Sequence, residues 1–260
     1  MTHDAHHATT RDDMATMVAL LDAAEQRPEA VTLRQHSYDL LHLRAGDTVI
    51  DVGAGTGRAV AELASRGVTA IGVDVSEAMV SLGRSRYPGA DLRAGSAEQL
   101  PLGDGEAAGY RADKVFHELS DPAAALVEAR RVLRPGGRIV LLGQDWDTIV
   151  IDADDGMLTR RIVQARADSV RRPRVARAYR TLLLDAGFDQ VSMEVRTGVF
   201  TGEFMLPMLT GFAHAAVRAA AITPEQADTW LAEQRDRAAA DRLLLALPIF
   251  VAAGTGPGRG

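Results

Sequence analysis

The sequence predicts an α/β fold, a mostly parallel sheet with helices on both faces. Three observations predict it. Short β-branched runs alternate with helical periodicity from Thr48 onward, and the first run ends in a glycine cluster that opens a helix. The chain, 260 residues with 47% hydrophobic and 25% charged side chains, is long enough to bury one sizeable core.

Each element has its own signal. Apolar residues recur at helical spacing from Asp12 to Leu43, at Met14, Met17, Val18, Leu21, Tyr38 and Leu41, and Pro28 splits this stretch into two helices. Thr48 to Val52 is a strand, Arg58 to Arg66 a helix and Thr69 to Val73 the next strand. The alternation continues with a helix over Met79 to Arg86, strands over Asp91 to Arg93 and Tyr110 to Val115, a helix over Pro122 to Leu133 and a strand over Arg138 to Leu142. The turn at Pro135 to Gly137 suits a helix stop. Helical patterns follow at Met157 to Val170 and Val175 to Ala186. A strand then runs through Val199, Phe204 to Leu243 reads as helical, and Leu244 to Ala252 closes the sheet, with a frayed tail after it.

Composition removes several kinds of chemistry. There is no cysteine, so disulfides, thiolate metal sites and cysteine nucleophiles are excluded. A net charge of −6 provides no bulk positive field for nucleic acid or an anionic membrane, and neither partner is expected. No apolar run suffices for a bilayer span and the first residues do not resemble a secretory signal, so a cytoplasmic location is the expectation.

The stretch DVGAGTGRA carries the chemistry, with Asp51, Gly53, Gly55 and Gly57 between the first strand and its helix. A dinucleotide fingerprint needs G-x-G-x-x-G, whereas this turn reads G-x-G-x-G with Arg58 in the slot of the third glycine. A carboxylate at Asp51 would repel a pyrophosphate but could accept hydrogen bonds from an ammonium group. The second strand ends in Asp74, where an acid can take both ribose hydroxyls of a nucleoside.

Together VIDVGAGTG, GVDVSEAMV, GSAEQLP and RVLRPGGRIVLL resemble the successive motifs of the class I S-adenosylmethionine (SAM) methyltransferases. They are most similar to the ubiquinone and menaquinone methyltransferase relatives, many of which tailor bacterial natural products. The resemblance is strong over Val31 to Leu142. It implies a Rossmann-like sheet of seven strands, an N-terminal helical lid over 1–44, a SAM-binding core over 45–150, and a C-terminal part over 151–260 with helices inserted before the last strand. It also implies SAM as cofactor, S-adenosylhomocysteine as product, and a cofactor site made by Asp51, Gly53, Gly55, Gly57, Asp74, Val75, Met79, Ser96 and Ala97. The family often has aspartate where this chain has Ser96, which shifts adenine recognition to the Ala97 backbone or Glu98.

A sulfonium methyl needs only a nucleophile held in line, with a base where the acceptor carries a proton. His117, after the fourth strand, is the candidate base, and a hydrogen-bonded structural histidine is the alternative. Arg111 could face the cofactor carboxylate or form a surface ion pair, and Tyr38 is the candidate hydroxyl on the lid, beside Arg34 and His36. Past the fifth strand, Gln144, Asp145, Trp146 and Asp147 reach the ligand-bearing edge, with Trp146 placed to pack on a flat substrate and Asp145 assigned to the acceptor site. Asp145 and Asp147 resemble a chelating pair of catechol methyltransferases, but no third ligand is recognisable and no metal is expected. Met205, Met208 and Phe212 would cap a small, lipophilic acceptor or serve simple core packing, whereas His214 reads as structural. The eight arginines from Arg160 to Arg180 read as a solvated helix face, with an anionic substrate tail or RNA as alternatives. An RNA methyltransferase and a SAM-binding cyclase or sensor that no longer methylates are the rival functions. Oligomeric state is open, with a homodimer as the default.

Overall fold

The computed structural model describes Ala23 and residues 25–258. The helix expected from Asp12 through Leu21, and the histidines His3, His6 and His7, lie outside the described residues. The chain divides into two compact units, Met1–His36 and Ser37–Gly260. In the first, Arg34 Nη1 donates to the Glu25 carbonyl at 3.0 Å. Helix α1 (Pro28–Asp39) opens at the proline that the sequence marks as a break, because the first helical turn leaves its N–H groups unused.

The second unit is built on one sheet. Its strands are β1 (Thr48–Val52), β2 (Thr69–Asp74), β3 (Asp91–Ala94), β4 (Ala107–Asp113), β5 (Leu133–Gln144), β6 (Val150–Ile151), β7 (Asp189–Phe200) and β8 (Leu245–Thr255). The order is β3-β2-β1-β4-β5-β8, and β8 also pairs with β6 and β7. Neighbours from β3 to β5 are parallel, whereas β8 runs antiparallel to β5, β6 and β7. Parallel neighbours require crossovers, and α2 (Arg58–Ser65), α3 (Glu77–Arg86) and α4 (Pro122–Val132) supply them. The chain leaves β1 toward β2 on one side and returns to β4 on the other, so the carboxyl ends of β1 and β4 frame the crevice where ligands collect in such sheets.

The expected mixed architecture is present, with eight strands in place of seven. The additional one, β6, continues the edge of β5: β8 pairs with Gln144 at Ile249 and then with Val150 at Ala246. Pro248 falls in the interruption between those pairings, where its missing N–H removes no ladder bond on that side.

Boundaries move for identifiable reasons. Helix α3 starts at Glu77, not Met79, because Ser76 caps it and its side chain accepts from the Met79 N–H. Strand β5 begins at Leu133 because that residue pairs with Ala107 across a bulge before the regular register resumes at Gly109 and Arg138. The helical stretch Phe204 to Leu243 is two helices, α7 (Leu206–Arg218) and α8 (Pro224–Ala239). Ala220 has a φ of 52°, and Thr223 with Gln226 forms a capping box around Pro224. Two further helices, α5 (Gly156–Asp168) and α6 (Tyr179–Asp185), complete the unit.

Two hydrophobic clusters hold these layers. One joins Ile50, Val73, Tyr110, Leu126, Ile139, Tyr179 and Phe188 around the sheet. The other gathers Trp146, Ile162, Leu209, Phe212, Trp230 and Leu245 among α5, α7 and α8. In the second, the buried Trp230 Nε1 donates to Thr159 Oγ1 at 3.0 Å, so this aromatic adds area without an orphaned donor. No helix of the described residues is long and apolar enough to cross a membrane.

Candidate active site

Strand β1 ends in a turn whose three glycines all take positive φ: Gly53 at 68°, Gly55 at 54° and Gly57 at 83°. A Cβ on Gly53 would overlap Val115 Cγ2, whereas one on Gly55 would meet nothing within 4 Å. The turn is therefore packed from below and open above Gly55. Asp74, at the end of β2, fixes it from the side. The Gly55 N–H donates to Asp74 Oδ2 at 2.8 Å and the Ser76 N–H donates to Oδ1 at 2.8 Å. Each carboxylate oxygen retains acceptor capacity. Beside it Val75 is 83% exposed, Met79 is half-buried, and the next strand end presents an exposed Ser96 and a buried Ala97. The Ser96 hydroxyl accepts from the Glu98 N–H, and Ser120 Oγ donates to the Glu98 carboxylate.

Beneath this turn lies a buried charge network. Arg111 Nη1 donates to Asp51 Oδ1 at 2.7 Å, Nη2 to Asp113 Oδ2 at 2.7 Å, and Nε to Ser37 Oγ at 2.8 Å. The Arg111 and Asp51 side chains are 2% and 4% exposed. Burial works against ionisation of Asp113, but Lys114 and Arg111 outweigh it and hold its carboxyl below the usual range. Two expectations change here. Arg111 forms ion pairs inside the fold, where a surface pair was the alternative expected, with its guanidinium spread over three partners. Asp51 meets a guanidinium within the fold, so its field at the turn is largely offset and Asp74 is the carboxylate that borders the open face.

Tyr38 also departs from its expected role. Its hydroxyl donates to Glu62 Oε2 at 2.9 Å, its ring lies under Arg66 and Arg111, and burial pushes its phenol pKa up. It is a buried neutral donor locking the start of the unit onto α2. His36 and Arg34 belong to the first unit.

The other wall comes from the ends of β4 and β5. His117 is 7% exposed, with Nε2 3.2 Å from Glu118 Oε1 and a buried Nδ1 without a hydrogen-bond partner. Its ring meets Trp146 edge-on, the centroids 5.7 Å apart. Burial, reinforced by Arg166 and Lys114 and opposed by Glu118, holds its pKa below the ordinary imidazole value. Gln144 Oε1 and Trp146 Nε1 are likewise buried without partners.

Asp145 is fully buried. It caps the short turn Trp146–Thr148 by accepting from the Asp147 N–H, and Arg177 holds both of its oxygens. That places it behind the site, against the expectation of acceptor contact. Asp147 pairs with Arg174. The arginine-rich segment is an exposed face as expected, every arginine in it but Arg166 being exposed, and several of its side chains also tie down backbone: Arg172 donates to the Leu119 and Ser120 carbonyls, Arg161 to Ala221 and Arg180 to Val191.

Trp146 leads into a cavity of about 390 Å³ lined by Trp146, Arg166, Met208, Gly211, Phe212, Ala215 and Arg218. Of the expected cap residues, Met208 and Phe212 line it, Met205 packs into the helical cluster and His214 is exposed. The Arg166 guanidinium lies 4.4 Å from the Trp146 ring centroid, so one face of the indole is covered. Arg166 and Arg218 were not singled out by sequence reasoning, because helical spacing shows only that they end α5 and α7.

The residues suit the group the resemblance implies. Open space above Gly55 admits close approach of a ligand to backbone, Asp74 offers acceptors for a diol, and exposed Val75 offers an apolar surface for a base. The carboxylate of Asp74 borders the strand end where a pyrophosphate would want a cation.

Comparison with known proteins follows this geometry. Residues 50–141 match the family described as "Methyltransferase domain". An uncharacterised 37.1 kDa protein in transposon Tn4556 of Streptomyces fradiae is 33% identical over 244 residues, covering 90% of this chain and 70% of that protein. A demethylmenaquinone methyltransferase of Beutenbergia cavernae is 39% identical over 108 residues, or 42% of this chain and 45% of its own length. In fold, the chain is similar to geranyl diphosphate C-methyltransferase of Streptomyces coelicolor, with a TM-score of 0.56 and 17% identity over 87% of this chain and 76% of that one.

Proposed function

Because the chain belongs to the class I SAM-dependent methyltransferases, we propose that it methylates oxygen, nitrogen or an activated carbon of a small, lipophilic acceptor. The bonding of Asp74 to the glycine turn carries this reading. In it, Asp74 receives the ribose hydroxyls, Val75, Met79, Ser96 and Ala97 surround the adenine, and Gly53, Gly55 and Gly57 pass under the methionine part. SAM supplies an already activated methyl group. The chain's own task is to hold the acceptor nucleophile in line at about 3 to 3.5 Å and to exclude water. The cavity beside Trp146 has the size for such an acceptor, and Trp146, Met208 and Phe212 give it apolar surface. The similarity to the demethylmenaquinone methyltransferase of Beutenbergia also supports a lipophilic acceptor.

His117 then accepts the acceptor's proton. With the proton of its neutral ring on Nε2, directed at Glu118, the unpartnered Nδ1 carries a lone pair. The depressed pKa keeps this ring neutral, and so competent as a base, until the pH falls below the ordinary imidazole range. S-adenosylhomocysteine released from a panel of phenols and quinols provides the readout. The wild type is expected to turn over at least one acceptor, with rate lost only on the acid side. His117→Ala should reduce kcat about 100-fold or more and abolish that acid limb. Absence of product with every acceptor would overturn the function, and wild-type turnover in the variant at all pH would remove His117 from it.

A further inference from the structure

The arginines between Arg160 and Arg180 do not behave alike. Five of the eight (Arg161, Arg172, Arg174, Arg177 and Arg180) donate to backbone carbonyls or carboxylates. Arg166 instead bonds through Nη1 to the neutral Ser169 hydroxyl at 2.7 Å and rests on Trp146. It lines the cavity together with Arg218, from the last turn of α7. Among the described residues, neither guanidinium lies within ion-pair distance of a carboxylate. Two cations thus share one pocket wall whose remaining lining, Trp146, Met208, Gly211, Phe212 and Ala215, is apolar or without a side chain. Burial holds the Arg166 guanidinium pKa below its ordinary value; Glu118 opposes this and the like charge of Arg218 reinforces it. Like charges gathered beside an apolar surface repel one another until an anion joins them.

We propose that this cavity recognises an acceptor with an apolar, preferably aromatic, body and one anionic group, a carboxylate or a phosphate monoester, held between Arg166 and Arg218. This rests on the reading of the cavity as the acceptor pocket, and it narrows the acceptor from a lipophilic compound to an amphipathic acid. The body packs against Phe212, Met208 and the edge of Trp146, which directs the molecule toward His117. The planar guanidinium forks suit both oxyanions.

Calorimetric titration of the full chain, saturated with S-adenosylhomocysteine, tests this with 2-naphthoate, 2-naphthyl phosphate and the neutral 2-naphthamide. At least one anion should bind about tenfold or more tightly than the amide, by a margin that shrinks as salt is raised. Which anion binds more tightly identifies the source of the charge. In Arg218→Gln, an exposed position where folding is not at stake, the margin should fall to about threefold or less while the amide's affinity stays within about twofold. Arg166→Gln should act in the same direction. Equal binding of amide and anions, an unchanged margin in Arg218→Gln, or no uptake of any probe would overturn the proposal. The preceding titration with S-adenosylhomocysteine alone reports on the cofactor reading separately: uptake of the nucleoside without anion preference leaves the methyltransferase and removes only the anionic acceptor.

Discussion

Replacing Arg111 with alanine is expected to destabilise the fold by about 3–5 kcal/mol and to lower its melting temperature by roughly 10 °C. The cause is local. Asp51 and Asp113 each lose a guanidinium at 2.7 Å, and Asp51 sits where its side chain is 4% exposed and water cannot replace the lost partner. Ser37 loses its donor at the same time. Because the cost comes from the buried anion left behind, the double variant Arg111→Met with Asp51→Asn should recover at least half of it, which simple loss of packing would not allow. Thermal unfolding of the three chains decides the point. A single variant that melts within about 2 °C of the wild type would show that the network contributes little.

The second large effect falls on binding. Gly53→Ala is expected to weaken SAM affinity about 100-fold while leaving secondary structure intact. The new Cβ overlaps Val115 Cγ2, and the backbone there has a φ of 68°, which side-chain-bearing residues adopt at a cost of about 1–2 kcal/mol. Relief requires the turn or the β4 end to move, and the hydrogen bonds to SAM that such a shift breaks cost about 1–3 kcal/mol, up to about 100-fold in affinity. Shortening the obstacle with Val115→Ala in the same chain should return part of the affinity, since the clash disappears while the backbone strain remains. Affinity of the single variant within about threefold of wild type would mean that the turn does not set the ligand's position.

The glycine turn and Asp74 were legible because strand, turn, helix and acid follow one another within 27 residues and obey local rules of φ and strand periodicity. The partner of Asp51 was not. Arg111 is 60 positions further along and Ser37 is 74 positions from Arg111, so only the pairing of β1 with β4 brings them together. The expectation that Asp51 could accept from an ammonium group did not foresee this internal guanidinium for that reason. Tyr38 was misdirected similarly, since its acceptor Glu62 sits on the next helix. The exposure of the arginine segment was legible, but its bonds to backbone carbonyls such as those of Leu119, Val191 and Ala221 were not, because such acceptors leave no mark in a sequence. Only folding separates Arg166, at the cavity, from its bonded neighbours. Conversely, the break between α7 and α8 was encoded in Thr223, Pro224 and Gln226 and was overrun by the apolar periodicity on either side.

The central claim is that the G-x-G-x-G turn, with Arg58 in the slot of a third glycine, and Asp74, bonded to Gly55 and Ser76, together form a site for a nucleoside sulfonium and not for a phosphorylated dinucleotide. Calorimetry of the full chain and of Asp74→Asn, titrated with SAM and with NADH, tests it most directly. An amide at position 74 would set NH2 against one of the two N–H groups that now donate to the carboxylate. The account predicts saturable heat with SAM in the wild type, at least about tenfold weaker binding in the variant, and no uptake of NADH by either. Saturable NADH binding without SAM binding, or SAM affinity unchanged in Asp74→Asn, would contradict it.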